Sequence, residues 1–327
     1  MHGTRQDSLA RDWGNGSLSG GVWGRAERHG LRRLIRALAA ADVVVIHGYY
    51  LWWAGPVAML SKLLRKRVLL TPHGSLTTYQ RRFSVRKKRV FEATVGWLLR
   101  RAVDTFVTGS GREKAELAER FPALDVAVAG VGTPLRATPI ASETWNGELQ
   151  LLSVSRVATK KRLDLAIRAV RALQDQGESV VLTIAGDGDD ALVGTLKQLS
   201  DDLGLRESVT FLGHQDSEQV ANLFKSADIF LAPSDDENFG IASAEAVAAG
   251  LPIIGSRAVD ALAELEGDFV EKLDSREPGA IAEAVGTIRG RARPDLVREA
   301  HAASQRFGWP LVAEKWLEIM NGQGTGR

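Results

Sequence analysis

Short apolar runs rich in Val, Ile and Leu alternate along the chain with longer stretches whose apolar positions recur every three or four residues. VVVIH (43–47), RVLLT (67–71), DTFVT (104–108) and DVAVA (125–129) read as strands, and 54–64, 85–102 and 112–120 between them read as helices. Strands separated by helical patterns indicate a parallel sheet wrapped by helices. From Thr133 to Gly147 the rhythm breaks, with two prolines, Ser142 and Asn146, and this stretch reads as a linker. A second series follows, with strands at LQLLSV (149–154), VVLTIAG (180–186), VTFLG (209–213), IFLA (229–232) and PIIG (252–255). Helices are expected between them at 163–176, 191–203, 218–226 and 242–249, then at 279–289, 294–306 and 309–321. The pattern predicts an α/β chain of two Rossmann-like doubly wound domains, 31–147 and 148–327, facing a cleft. Such sheets bind ligands beyond the carboxyl ends of their strands. Residues 1–30 are rich in Gly, Ser and Asn without a sustained period and are expected to be poorly ordered.

A length of 327 residues suits two domains, and 44% hydrophobic with 25% charged residues is enough for two cores. The absence of cysteine excludes disulfides, thiolate metal sites and cysteine nucleophiles. The net charge of +2 conceals an asymmetry: residues 1–147 carry 23 Lys and Arg against 11 Asp and Glu, and residues 148–327 carry 19 against 29. No apolar signal-peptide segment is visible near the start. Residues 43–61 are uncharged over 19 positions, yet His47, Gly48, two tyrosines, Gly55 and Pro56 make them a strand, a loop and a helix start rather than a membrane span. The chain reads as cytoplasmic.

Candidate chemistry gathers where strands of the second series end. Ser153-Val-Ser-Arg156 and Thr159-Lys160-Lys161-Arg162 follow LQLLSV directly. A guanidinium and an ammonium on one strand-to-helix loop can cradle phosphate oxygens, and the helix beginning near Leu163 adds its positive end. After IFLA comes ENFGIASAE, in which Glu237 falls on the loop, Gly240 opens a helix and Glu245 sits in its second turn. Free amides from Asn238, Phe239, Gly240 and Ile241 would point into the cleft, suited to sugar hydroxyls or a phosphate. If the stretch were fully helical, its two carboxylates would stand ~12 Å apart, one at a sugar and one at a ribose. IAGDGDD (184–190) is a strand ending in Gly186-Asp187-Gly188, where glycine permits close backbone approach to a ligand. Its Asp-Gly-Asp also fits a divalent-metal pattern, but the neighbouring cations could already neutralise a diphosphate, and no metal is expected. In the first series His73, in Thr71-Pro-His-Gly-Ser75, lies on a strand-end loop and could donate to a phosphate or a sugar hydroxyl. The other histidines, His47 among them, show no metal-ligand spacing.

Together and in this order these segments resemble the retaining glycosyltransferases of family 4, which have the GT-B fold. SRVATKKRLDLAIRAV is similar to the family's G-R-L-x-x-x-K-G-x-D segment, LTIAGDG to its strand ending in G-D-G, and the run from Val209 through ENFGIASAE to Ser256 to its longest signature, with the E-x7-E spacing. Weaker likeness extends through PHGS, TGSGREKAEL and VAGVG, and forward to FGWPLVAEKW. The resemblance implies that Arg156 and Lys161 bind a donor diphosphate and that Glu237 contacts the transferred sugar. It gives Asn238, Phe239 and Gly240 as backbone donors, Glu245 to the ribose, Gly186 and Gly188 beside the nucleotide, and His73 facing sugar and phosphate. Ser155 and Arg162 stand where the family has glycines. The family opens with a strand, a Gly-rich turn and a helix, whereas the first credible strand here begins at Val43, so the first domain is expected to be incomplete.

The leading reading is transfer of a hexose-like sugar from a nucleotide-diphosphate donor to a glycan or lipid-linked acceptor, with retention and without cofactor. Alternatives are a truncated non-catalytic relative that binds nucleotide sugar, and a sugar-nucleotide epimerase of related fold. From Lys62 to Arg101 there are 12 Lys and Arg with one acid, Glu92, interleaved with Val90, Phe91, Trp97, Leu98 and Leu99. That combination suits adsorption to an anionic membrane, the inner face of the plasma membrane for a cytoplasmic protein, or else a solvated basic helix over a core. Nucleic acid explains it less well, because no nucleic-acid-binding motif accompanies the charge.

Overall fold

The computed structural model describes residues 31–134, 145 and 147–323. The expectation of disorder before residue 31, and most of the expected linker, lie outside the described residues. Two parallel sheets are present, a four-stranded one in the order β1-β2-β3-β4 and a six-stranded one in the order β10-β9-β8-β5-β6-β7.

The first sheet is built from β1 (Val43–His47), β2 (Arg67–Thr71), β3 (Thr105–Thr108) and β4 (Val126–Val128). α1 (Leu31–Ala40) precedes it, α2 (Ala54–Leu63) links β1 to β2, and α3 (Thr78–Arg81), α4 (Val85–Phe91) and α5 (Trp97–Ala102) lead to β3. α6 (Gly111–Arg120) then leads to β4. Neighbouring residues of β2 and β3 face opposite ways, so Val68, Leu70 and Phe106 meet Phe91, Leu99 and Leu117 while Leu69 and Val107 enter a separate cluster. The expected single helix over 85–102 is interrupted by a π turn at Glu92–Gly96. That turn points Glu92 inward, where it accepts hydrogen bonds from Tyr49 (3.0 Å) and Tyr50 (3.3 Å) and pairs with Arg100.

The second sheet contains β5 (Leu149–Val154), β6 (Val180–Ala185), β7 (Val209–Gly213), β8 (Ile229–Ala232), β9 (Ile253–Ser256) and β10 (Val270–Leu273). The helices between and after them are α7 (Leu163–Asp175), α8 (Asp190–Asp202), α9 (Ser217–Ser226), α10 (Ile241–Ala248), α11 (Asp260–Ala263), α12 (Pro278–Arg289), α13 (Arg293–Ser304) and α14 (Trp309–Met320). The chain winds from β5 outward to β7, then returns to pair β8 with the other side of β5. Strand order therefore reverses between β5 and β8, and a crevice opens at their carboxyl ends.

The last helix corrects the sequence reading, which gave every terminal helix to the second domain. Ile319, Trp316 and Met320 of α14 pack on Val43, Val45, Leu69, Val107 and Ala127 of the first sheet. The crossing begins where Thr133 pairs with Gly308 and its amide donates to the Phe307 carbonyl at 2.7 Å. Both faces of the first sheet are thereby covered.

Candidate active site

The loop after β5 and the loop after β6 run side by side across the reversal point. Ser155 N–H donates to Ala185 O at 3.0 Å, and Val157 N–H donates to Asp187 O at 2.7 Å. The approach is so close that a Cβ on Gly186 would lie 1.9 Å from the Ser155 carbonyl oxygen, and one on Gly188 would lie 2.3 Å from that of Val157. Gly186 and Gly188 are therefore required by the packing of two backbones, and Arg156, between Ser155 and Val157 on the first of these loops, is exposed. Among the described residues no carboxylate pairs with Arg156.

Lys161 is carried by a 3-10 turn, Thr159–Lys161, that ends at Arg162 with φ +51°. The left-handed backbone explains why glycine would suit position 162. Here the cost of a side chain is offset by ion pairs, since Arg162 grips Asp164 (Nε to Oδ1, 3.0 Å) and Asp235 (3.4 Å). From the end of β8, Glu237 meets Lys161 in a direct ion pair, with Lys160 3.8 Å away on its other oxygen. The next turn runs through Asn238 and buried Phe239 to the left-handed Gly240, and α10 starts at Ile241 with no side-chain cap. The sequence 237–245 is thus loop then helix, not one continuous helix. The first amides of α10 have no carbonyl one turn back and face the hollow lined by Ser155, Lys161, Glu237, Gly240, Ala242 and Ser243. Glu245 lies one turn into α10, half-buried.

Asp189, the second acid of Asp-Gly-Asp, caps α8 by accepting from Ala191 (3.1 Å) and Leu192 (3.2 Å). Asp187 lies 3.6 Å from His214, and both are exposed. No cluster of three His, Asp or Glu with metal-binding geometry occurs among the described residues.

On the first-domain side His73 sits at φ +51°, just past β2. Its ring stacks on that of His47, with centroids 5.2 Å apart and His47 Nδ1 2.9 Å from His73 Nε2. Burial lowers both pKa values from the ordinary 6.5, and the neighbouring ring lowers that of His73 further. Two neutral imidazoles, the N–H of one donating to the bare ring nitrogen of the other, therefore stand at the ends of adjacent strands. Sequence reading missed His47 as a partner. The available signal was positional, since His47 ends the strand beside the one that His73 follows. It also missed Arg112, at the start of α6, which reaches the other domain: Nε lies 2.6 Å from Asp260 Oδ1, and Nη2 donates to Glu237 O at 2.6 Å.

Comparison with known proteins agrees with this architecture. Residues 11–133 match the family model described as Glycosyltransferase Family 4, and residues 138–288 match the model described as Glycosyl transferases group 1. The chain belongs to the family 4-type glycosyltransferases, with the GT-B fold. It is 33% identical over 227 residues to a GDP-mannose-dependent alpha-(1-6)-phosphatidylinositol dimannoside mannosyltransferase of Mycobacterium tuberculosis, covering 66% of this chain and 57% of that protein. It is 31% identical over 167 residues to a D-inositol 3-phosphate glycosyltransferase of Mycolicibacterium smegmatis, covering 50% of this chain and 38% of that one. The chain thus spans little more than half the length of the first of these curated relatives, and less of the second. Among solved structures, Anabaena Alr3699/HepE in complex with UDP and glucose superposes with a TM-score of 0.72 at 19% identity, over 89% of this chain and 80% of that one, a likeness of fold. Among the described residues no helix is long and apolar enough to cross a membrane.

Proposed function

We propose that the chain transfers a hexose-like sugar from a nucleotide-diphosphate donor to a glycan or lipid-linked acceptor, retaining anomeric configuration and needing no metal. The observation that carries this reading is the convergence at one topological switch point of Arg156, Lys161, Glu237 and the uncapped start of α10. Bond cleavage at the anomeric carbon places negative charge on the leaving diphosphate. Arg156, Lys161 and the amide ends of α7 and α10 are placed to stabilise that charge as it grows. Glu237 holds the hydroxyls of the transferred sugar, and Glu245 holds the ribose. In this reading the acceptor attacks the face from which the diphosphate departs, and the departing phosphate takes its proton, so no protein nucleophile is required. His73 and His47, neutral at physiological pH, offer one donor and one acceptor to the sugar or phosphate from the other wall.

The hollow beside Lys161 has a volume of only about 20 Å³, and the Lys161–Glu237 pair lies on its wall. A donor would enter by parting that pair, with the diphosphate taking Lys161 and the sugar taking Glu237. The relatives use or bind GDP-mannose and UDP, so UDP- and GDP-sugars are the donors to try first. An anionic membrane is the proposed surface for a lipid-linked acceptor. Trp52, Trp53, Phe83, Val90 and Trp97 are exposed on the first domain, as are Arg81, Arg82, Arg86, Lys87 and Arg89, which supports that placement.

The deciding experiment incubates the protein with UDP- and GDP-sugars and glycan or phosphoinositide acceptors, with and without EDTA, and assigns the product anomer by NMR. An α-linked product from an α-linked donor, formed equally in EDTA, is expected. An inverted product would overturn retention, and abolition by EDTA would overturn metal independence. Donor binding without any product would favour the non-catalytic alternative.

A further inference from the structure

Arg112 belongs to the first domain but its guanidinium serves the second. It lies 2.6 Å from Asp260 and 3.5 Å from Asp236, and it donates to the Glu237 carbonyl at 2.6 Å. Both carboxylates are buried, at 4% and 6% side-chain exposure. Asp236 also has Lys160 at 3.3 Å, but among the described residues Arg112 is the only cation paired with Asp260. A buried carboxylate stripped of its one cation is strongly unfavourable, so the contact has directional consequences for how the domains sit.

The next residue makes the arrangement reciprocal. Glu113, fully buried, accepts from the amides of Gly74 (2.6 Å) and Gly109 (3.3 Å). Two consecutive residues at one helix start therefore hold the two loops that wall the cleft. Glu113 fixes the His73–Gly74 turn, and Arg112 fixes the Asp236–Glu237 turn. The Asn238 side chain fills the gap between these loops, where a Cβ on Gly74 would come within 2.7 Å of it.

We propose that Arg112 is a positioning residue for sugar transfer: it docks the first domain on the donor loop and, by gripping the Glu237 carbonyl between two anchored carboxylates, sets where the Glu237 carboxylate meets the sugar. Because the guanidinium is a rigid planar fork, its Nε reaches Asp260 while its Nη2 reaches the Glu237 carbonyl, whereas an ammonium is a point charge with no fixed donor directions. The inference rests on the glycosyl-transfer reading, and its test separates the two.

Arg112→Ala, Arg112→Lys and wild type are compared for kcat, donor KM and solution radius of gyration by X-ray scattering. Misplacing a reacting group by about 1 Å can cost on the order of 10²-fold, so Arg112→Ala should lower kcat about 10- to 100-fold. Donor KM should shift less than about threefold, because Arg156 and Lys161 are untouched. Arg112→Lys should recover part of kcat, since it keeps the charge opposite Asp260 and loses the fork. The radius of gyration of Arg112→Ala should rise as the domains part, a readout that needs no activity. Wild-type kcat in Arg112→Ala, or a radius unchanged from wild type, would overturn the positioning role. Absence of transfer in wild type would instead sink the functional reading, with the scattering result still deciding whether Arg112 holds the domains together.

Discussion

Gly186 closes β6 at φ +135°, a region in which a side chain costs ~1–3 kcal/mol. An alanine Cβ there would stand 1.9 Å from the Ser155 carbonyl oxygen and 2.7 Å from its carbon. The two loops must then separate by about 1 Å to reach the 3.0 Å below which real Cβ contacts essentially never fall. Overpacking of this kind adds ~1–3 kcal/mol. Gly186→Ala should therefore lose about 2–6 kcal/mol, a large share of the ~5–15 kcal/mol that holds a typical protein together. The displaced segment is the one that carries Arg156, so nucleotide affinity should fall along with stability. Gly194 is the control: it lies exposed inside α8 with nothing within 4 Å of an added Cβ. Gly194→Ala should gain about 0.5–1 kcal/mol from helix propensity and leave binding alone. Urea denaturation followed by calorimetric titration with UDP and GDP measures both effects. A Gly186→Ala protein as stable as wild type and binding nucleotide equally would refute the argument from backbone approach.

Three further outcomes follow from the packing and the charges. Burial raises the Asp260 carboxyl from the ordinary 3.8 to about 6, so the folded chain holds that proton more tightly than the unfolded chain does. Its contribution to stability accordingly falls as pH rises from 3.8 to about 6 and stays low above that range. Asp260→Asn should remove this slope and raise Tm at pH 7.5 while slowing transfer; a uniform drop in Tm from pH 4 to 8 would contradict it. Ile319→Ala, at a buried position of α14 against the first sheet, should cost ~2–5 kcal/mol in urea denaturation, and protease sensitivity should appear first in the first domain. If the damage appeared only in the second domain, the crossing would be misplaced. Co-sedimentation should favour anionic over neutral vesicles at low salt and weaken when Trp52 and Trp53 are replaced by alanine; equal binding to both vesicle types would remove the membrane proposal.

Much of the second domain was legible because each strand carries its own apolar run and each ligand loop directly follows one. LQLLSV, VTFLG and IFLA occupy the structure at the residues read from sequence. Local signals failed where a feature depends on a distant partner. β10, VEKL, has a glutamate and a lysine in four residues and pairs only because β9 offers an edge. α14 has an amphipathic pattern that announces a helix but not which sheet it covers. Arg112 sits among ordinary helical charges, and its value arises from Asp236 and Asp260, more than a hundred residues on. His47 has no metal-ligand spacing in the sequence, and only the pairing of adjacent strands brings it to His73. The left-handed Arg162 shows the reverse case, a position whose backbone favours glycine held instead by ion pairs to Asp164 and Asp235.

The central claim is that Arg156 and Lys161 hold a donor diphosphate at the reversal of the second sheet. It is tested most directly by titrating nucleoside, nucleoside monophosphate and nucleoside diphosphate, of uridine and guanosine, into wild type and the Arg156→Ala/Lys161→Ala double variant. Hydrogen bonds to charged groups contribute ~1.5–3 kcal/mol each, so wild type should prefer its diphosphate over the nucleoside by at least about tenfold. The double variant should melt as a folded protein and bind diphosphate no better than nucleoside. A double variant that keeps the full diphosphate preference would contradict the account.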